Sequence, residues 1–293
     1  MKKLYLTVLL LTLTACSATI SSQSESNVTS TPPQNGSTTK SLTPSPATTL
    51  PTNTSTPSPS PVTSSPSPSE TPTLQVSATP QATVDDVRVE AADGLVITGT
   101  FHPASDPPPW SGVLLLHMVF GERSQWDELV PLLTSNGYAV VAIDMRGHGS
   151  TGGEINWEKA EDDILNVWSY MTERGDIDPS RSAMIGASMG ANMALVSAAN
   201  QPEINTVVLL SPGLNYYGVT TSDALEAYGQ RPILIAASSE DTYSADSSQE
   251  LVKAALGESK LLTYDGAGHG TAMLQKEPEL GKMILGWLDQ YLK

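Results

Sequence analysis

Cysteine is nearly absent from this chain: Cys16 stands alone among 293 residues. A single thiol can form neither an internal disulfide framework nor a thiolate zinc site. Basic side chains are scarce as well, 15 Lys and Arg against 31 Asp and Glu, for a formal net charge of −16. With no basic block to neutralise phosphates, nucleic-acid binding loses its main source of affinity. Histidine is rare too. His102, His117, His148 and His269 are the only four, which leaves few candidates for a general base.

Proline is plentiful and unevenly spread. Twelve of the 22 prolines lie within residues 17–84, where Glu25, Lys40 and Glu70 are the only charged side chains. This Ser/Thr/Pro-rich stretch cannot bury enough apolar surface to offset the entropy of ordering, so it reads as a disordered stalk stiffened by pieces such as Pro57-Ser58-Pro59-Ser60-Pro61. Residues 85–293 have a different composition and carry a net charge of −17. They are long enough for one domain with a proper core. Ahead of the stalk, Lys2 and Lys3 precede an apolar run at residues 4–13, too short to cross a bilayer and ordered like a secretory signal. The run ends in Leu13-Thr14-Ala15-Cys16, which resembles the bacterial lipoprotein signal. That resemblance implies a signal peptide over 1–15, a lipidated Cys16 opening a stalk over 16–84, and an extracytoplasmic domain over 85–293 anchored to the cell membrane.

Within the domain, short apolar runs alternate with amphipathic segments. Residues 87–89 and 95–100 flank the turn Asp93-Gly94 and predict a hairpin. Residues 113–116 and 138–143 read as buried strands, and 182–185, 206–210, 233–237 and 261–264 as further strands. Trp126, Leu129, Val130 and Leu133 mark one helix face. Ile164, Val167, Trp168 and Met171 mark a helix over 157–174, and Met283, Ile284, Trp287, Leu288 and Tyr291 a last one. The alternation predicts an α/β architecture, a mainly parallel sheet with helices on both faces and a site at the carboxyl ends of the strands.

Three strand ends carry unusual residues. Gly186-Ala187-Ser188-Met189-Gly190 lies between a strand and an apolar helix, a spacing that predicts a sharp turn with an exposed Ser188 hydroxyl over a helix N-terminus. A serine needs a base, and His269 is the only histidine that follows it, in a glycine-rich loop after the last strand. The carboxylate that orients this base is read as Asp241, with Glu240 and Asp246 as competitors.

Together these motifs resemble the α/β-hydrolase family over nearly all of residues 85–293. The resemblance implies an eight-stranded, mainly parallel sheet and a catalytic triad of Ser188, Asp241 and His269. It further implies an oxyanion hole made by the Met189 amide and by the loop after residues 114–117. There the family has His-Gly and then the donor; here His117-Met118-Val119 places Val119 at the donor position, and Met118 replaces the glycine and competes with it. Asp144-Met145-Arg146-Gly147-His148-Gly149-Ser150 matches another family loop, in which Asp144 and His148 fix the backbone. Gly175-Asp176-Ile177-Asp178-Pro179 resembles the dienelactone-hydrolase and prolyl-oligopeptidase-like branches, with Ser188 where those dienelactone hydrolases use Cys.

Residues 211–231 hold Tyr216, Tyr217 and a short helix over 222–228, too little for a large cap. The expectation is an open cleft rimmed by Tyr216 or Tyr217 and lined by Met118, Val119 and Met189. The reading is an esterase acting on a small-molecule ester, with no metal and no cofactor. A peptidase and a non-catalytic binding module are the alternatives. The sequence leaves the oligomeric state open.

Overall fold

The computed structural model describes residues 83–293. The signal segment, Cys16 and nearly all of the expected stalk lie outside the described residues. The described chain opens with β1 (Asp85–Glu90) and β2 (Val96–His102), the expected antiparallel hairpin, in which Glu90 pairs Val96. It continues through β3 (Trp110–Leu116), α1 (Leu129–Thr134), β4 (Tyr138–Asp144), α2 (Trp157–Thr172), β5 (Ile177–Ala187) and α3 (Met189–Asn200). Next come β6 (Thr206–Leu210), β7 (Asn215–Tyr216), β8 (Val219–Thr220) and α4 (Ser222–Tyr228). The remainder is β9 (Ile233–Ser238), α5 (Thr242–Ala254), β10 (Ser259–Tyr264), α6 (Ala272–Lys276) and α7 (Pro278–Leu292).

Eight strands form one sheet in the order β1-β2-β4-β3-β5-β6-β9-β10. β1–β2 and β2–β4 pair antiparallel, and every later neighbour is parallel. β3, β4, β6 and β9 are buried along their whole length, as parallel strands covered by helices on both faces must be. Side chains alternate across a strand. Leu114 and Leu116 therefore join the core under α2, α3, α4 and α5, while Val113 and Leu115 join the opposite core under α1 and α7. β10 has a single neighbour and is only half-buried.

Two expectations are corrected. The face marked by Trp126 and Leu133 is two elements, a 3₁₀ turn at Arg123–Trp126 and then the short α1. On α7 the buried stripe is Leu280, Ile284, Trp287 and Leu288, a spacing of 4, 7 and 8 that leaves Met283 exposed.

Because the parallel strands share one direction, the chain leaves β3, β4, β5, β6, β9 and β10 at the same edge of the sheet. The residues singled out as chemical all stand there. Among the described residues no helix is long and apolar enough to cross a membrane.

Candidate active site

Ser188 follows the last residue of β5 and precedes the first of α3, so the chain must reverse within one residue. It does so with Ser188 at φ 52° and ψ −118°, a conformation that costs a non-glycine residue on the order of 1–3 kcal/mol. The turn is held by the Ser188 amide, which donates to Leu210 O at 2.8 Å. Its two glycines answer to space. A Cβ on Gly186 would overlap the Gly190 carbonyl, and one on Gly190 would overlap the carbonyls of Leu116 and His117 at the end of β3. The elbow and the loop after β3 are therefore in direct backbone contact.

That loop is pinned from both sides. The carbonyl of Met118 accepts from His117 Nδ1 at 2.6 Å and from the Gly121 amide at 3.0 Å. His117 Nε2 accepts from the Met145 amide at 2.9 Å, so Nδ1 carries the proton. Burial pushes the His117 imidazole down to about 4 and keeps it neutral. The Met118 amide is spent on Gln125 Oε1 at 3.1 Å, whereas the Val119 amide has no acceptor among the described residues. In one trans peptide the N–H and C=O point in opposite directions. Doubly anchoring the Met118 carbonyl thus fixes where the Val119 N–H points. The Met189 amide, first in α3, has no partner within its own helix.

His269 sits in the loop after β10. Its Nδ1 meets Asp241 Oδ2 at 2.5 Å, with the imidazole side chain 41% exposed and the carboxylate 20%. Asp241 opens α5, yet its carboxylate caps no helix amide and is free for His269. Of the two competitors, Asp246 is exposed on α5 and Glu240 has another task. Glu240 accepts from the amides of Gly266 at 2.9 Å and Gly268 at 2.8 Å, and from the Ser238 hydroxyl at 2.5 Å. Hydrogen bonds, first that of Ser238, bring its carboxyl down to about 2. Ala267 N donates to Ser238 Oγ and Gly270 N to Ser211 Oγ, both at 2.9 Å. The backbone on both sides of His269 is therefore tied to the ends of β6 and β9. Sequence reading took Glu240 only as a rival acid and missed Ser211, which no motif distinguishes.

Ser188 is brought to the same place. A Cβ at Gly270 would stand 3.5 Å from Ala187 Cβ and would collide with Met118 Sδ, so the loops bearing His269, Ser188 and Met118 touch. Ser188 is only 5% exposed, a correction to the exposed hydroxyl expected at the turn, and shares no direct hydrogen bond with His269. Tyr216 stands beside His269, its ring edge-on at 6.4 Å, and its hydroxyl shares a hydrogen bond with Ser244 Oγ at 2.8 Å. Burial raises the Tyr216 hydroxyl pKa and keeps it neutral.

Other expected residues fall into place differently. Asp144 accepts from the amides of Arg123 and Ser150 at 2.8 Å and pairs with the Arg123 guanidinium, the backbone-fixing part read for it. His148 Nδ1 faces Arg146 O at 2.9 Å and its ring packs edge-on against His117 at 4.9 Å. The Met189 side chain, expected in the cleft, is wholly buried in the core, so only its amide faces the site. Met118 does face the site, against Gly270 and Thr271. Tyr217 points away from His269, its ring 6.3 Å from Trp157. Among the described residues no three His, Cys, Asp or Glu side chains cluster as a metal site.

Known proteins agree with this architecture. Residues 107–227 match a hydrolase family described as serine aminopeptidase, a span that includes Ser188 but ends before Asp241 and His269. An uncharacterized Mycobacterium tuberculosis protein, Rv2307c, is 27% identical over 227 residues, covering 71% of this chain and 78% of its own. The Pyrococcus furiosus esterase Pf2001 superposes with a TM-score of 0.64 at 18% identity, over 72% of this chain and 92% of its own. A dienelactone hydrolase from Anabaena variabilis does so with a TM-score of 0.60 at 18% identity, over 72% and 99%. The strand order, the elbow at the end of β5 and these likenesses together give the chain the α/β-hydrolase fold.

Proposed function

We propose that the protein is a serine hydrolase that cleaves carboxylic esters through an acyl-serine, held outside the cytoplasm by a lipid on Cys16. The observation that carries the chemistry is the His269–Asp241 contact of 2.5 Å beside the strained Ser188 elbow. With the Nδ1 proton shared toward Asp241, Nε2 of His269 is the free base. Ser188 Oγ attacks the ester carbonyl as its proton passes to Nε2, and the oxyanion is met by the amides of Val119 and Met189. Collapse expels the alcohol, which takes the proton from His269. Water then repeats the cycle on the acyl-serine and restores the enzyme. This route uses no metal and no cofactor.

A fluorophosphonate probe tests the reading directly. It should label the protein at Ser188, and Ser188→Ala should abolish labelling and lower kcat by roughly 10⁶. A folded protein that resists the probe overturns the assignment and leaves a non-catalytic binding module. The match to a family described as serine aminopeptidase favours a second reading, a peptidase. Against it stands the short connection after β6, only β7, β8 and α4, with no cap to gate peptide access. Turnover of p-nitrophenyl acetate well above that of aminoacyl anilides supports the esterase, and the reverse order the peptidase.

The anchor rests on Lys2, Lys3, the short apolar run and Leu13-Thr14-Ala15-Cys16. Cys16→Ser should shift the protein from the membrane fraction to the soluble one. An unchanged distribution removes the lipid from the account.

A further inference from the structure

A groove of about 520 Å³ opens between the first turns of α2, the middle of α3 and the β7–β8 hairpin, and neither Ser188, Asp241 nor His269 lines it. Met193 and Val219 form its apolar floor, Met193 being 1% exposed. Trp157 and Tyr217 adjoin on one side of it, with ring centroids 6.3 Å apart and planes tilted by 40°. Glu158 and Glu161 also line it, one oxygen of Glu161 accepting from the Asn200 side-chain amide at 2.5 Å, and no Lys or Arg contributes to it. Lys159, next to Glu158 in the chain, is turned away to Asp93 at 2.8 Å. The α2 N-terminus, which alone would favour anions, is already met by the Asn156 cap on the Lys159 amide at 2.9 Å and by Glu158 in its first turn.

The second observation is the backbone that carries Tyr217. Asn215 pairs Thr220 and Tyr216 pairs Val219, so Tyr217 and Gly218 are the two corner residues of a tight hairpin, at φ 52° and 89°. A two-residue turn with both φ positive favours Asn-Gly, because asparagine tolerates the left-handed region far better than an aromatic residue. Tyrosine is therefore the strained choice at this corner. Burial does not compensate, since Tyr217 is 62% exposed. What the strain achieves is an exposed ring held against Trp157 beside two carboxylates.

We propose that this groove binds an organic ammonium group bearing a short apolar substituent, with the cation seated in the angle that the adjoining Trp157 and Tyr217 rings make and its charge balanced by Glu158 and Glu161. The faces of both rings are electron-rich and attract a poorly hydrated cation. The apolar arm lies over Met193 and Val219. The site is independent of the hydrolase reading, because none of its residues takes part in that chemistry.

The test is an NMR titration of the full-length chain with choline and with 3,3-dimethylbutan-1-ol, its neutral carbon isostere. Choline should bind on the order of tenfold more tightly than the alcohol. Ser188→Ala should bind choline unchanged, whether or not the protein proves to be an esterase. Glu158→Gln combined with Glu161→Gln should narrow the preference for the cation. Tyr217→Asn separates binding from folding: it should weaken choline binding about tenfold while its thermal midpoint equals or exceeds that of the parent. Equal binding of the two ligands, or full choline binding by Tyr217→Asn, overturns the proposal.

Discussion

Glu240 and Asp241 are neighbours in sequence that act on different parts of the same loop. Asp241 holds the His269 ring, and Glu240 holds the backbone before it through the Gly266 and Gly268 amides. Glu240→Gln keeps the size but offers one acceptor oxygen where two are in use, and turns an NH₂ toward an amide. We expect kcat to fall roughly tenfold or more with KM little changed, because a misplaced base costs rate more than binding. A steady-state comparison with the parent at neutral pH checks this, and an unchanged kcat removes Glu240 from the site's support. The pH sign follows from its carboxyl lying at about 2, below the ordinary carboxylate range. The clamp is complete above that range and loosens only as pH falls toward 2. At this scale the sequence was partly readable. Ser188 and His269 were marked by glycines and chain order. Asp241 was read ahead of Glu240 and Asp246 from chain order and its place at a strand end, but the separate task of Glu240 was not, because what each of two adjacent carboxylates reaches depends on how α5 begins.

Elements show the same division. The helix over residues 222–228 and the strand over 206–210 lie where the pattern put them, since periodicity records which face is buried. The β7–β8 hairpin was not readable: its strands have two residues each, and its corner holds tyrosine in place of the usual asparagine. β5 runs from Ile177, through Asp178-Pro179, to Ala187, further than its apolar core suggested, because Trp110 pairs with Ile177 across an irregularity in the β3–β5 register. The crossing of α3 over β3 yields a direct prediction. Gly190→Ala puts a methyl into the carbonyls of Leu116 and His117. Backbone cannot step aside as a side chain can, so unfolding in urea should show a loss of about 2 kcal/mol or more. A midpoint equal to the parent's would mean that the two elements separate without cost.

For the whole molecule, acid is the expected weakness. His117 is neutral when folded because burial pushes it down to about 4, and because its Nε2 accepts the Met145 amide and could not if protonated. The unfolded chain binds that proton near pH 6.5, so the folded state loses stability as pH falls from about 6.5 to 4. The loss from this one group is about 3 kcal/mol at most, and the burial that also lowers His102 adds in the same direction. Urea midpoints measured across that window should decline with acidification, and His117→Gln should flatten the slope. An equal slope in the variant would place the acid sensitivity elsewhere. One more consequence comes from β10, the half-buried edge strand that leads into the His269 loop. A half-buried strand with one neighbour has less to lose on opening than the central strands. On the proposed function, we expect mild urea to unseat the His269 loop first, so that ester turnover declines at a lower concentration than the spectroscopic transition; coincident curves would mean that the edge opens only with the whole sheet.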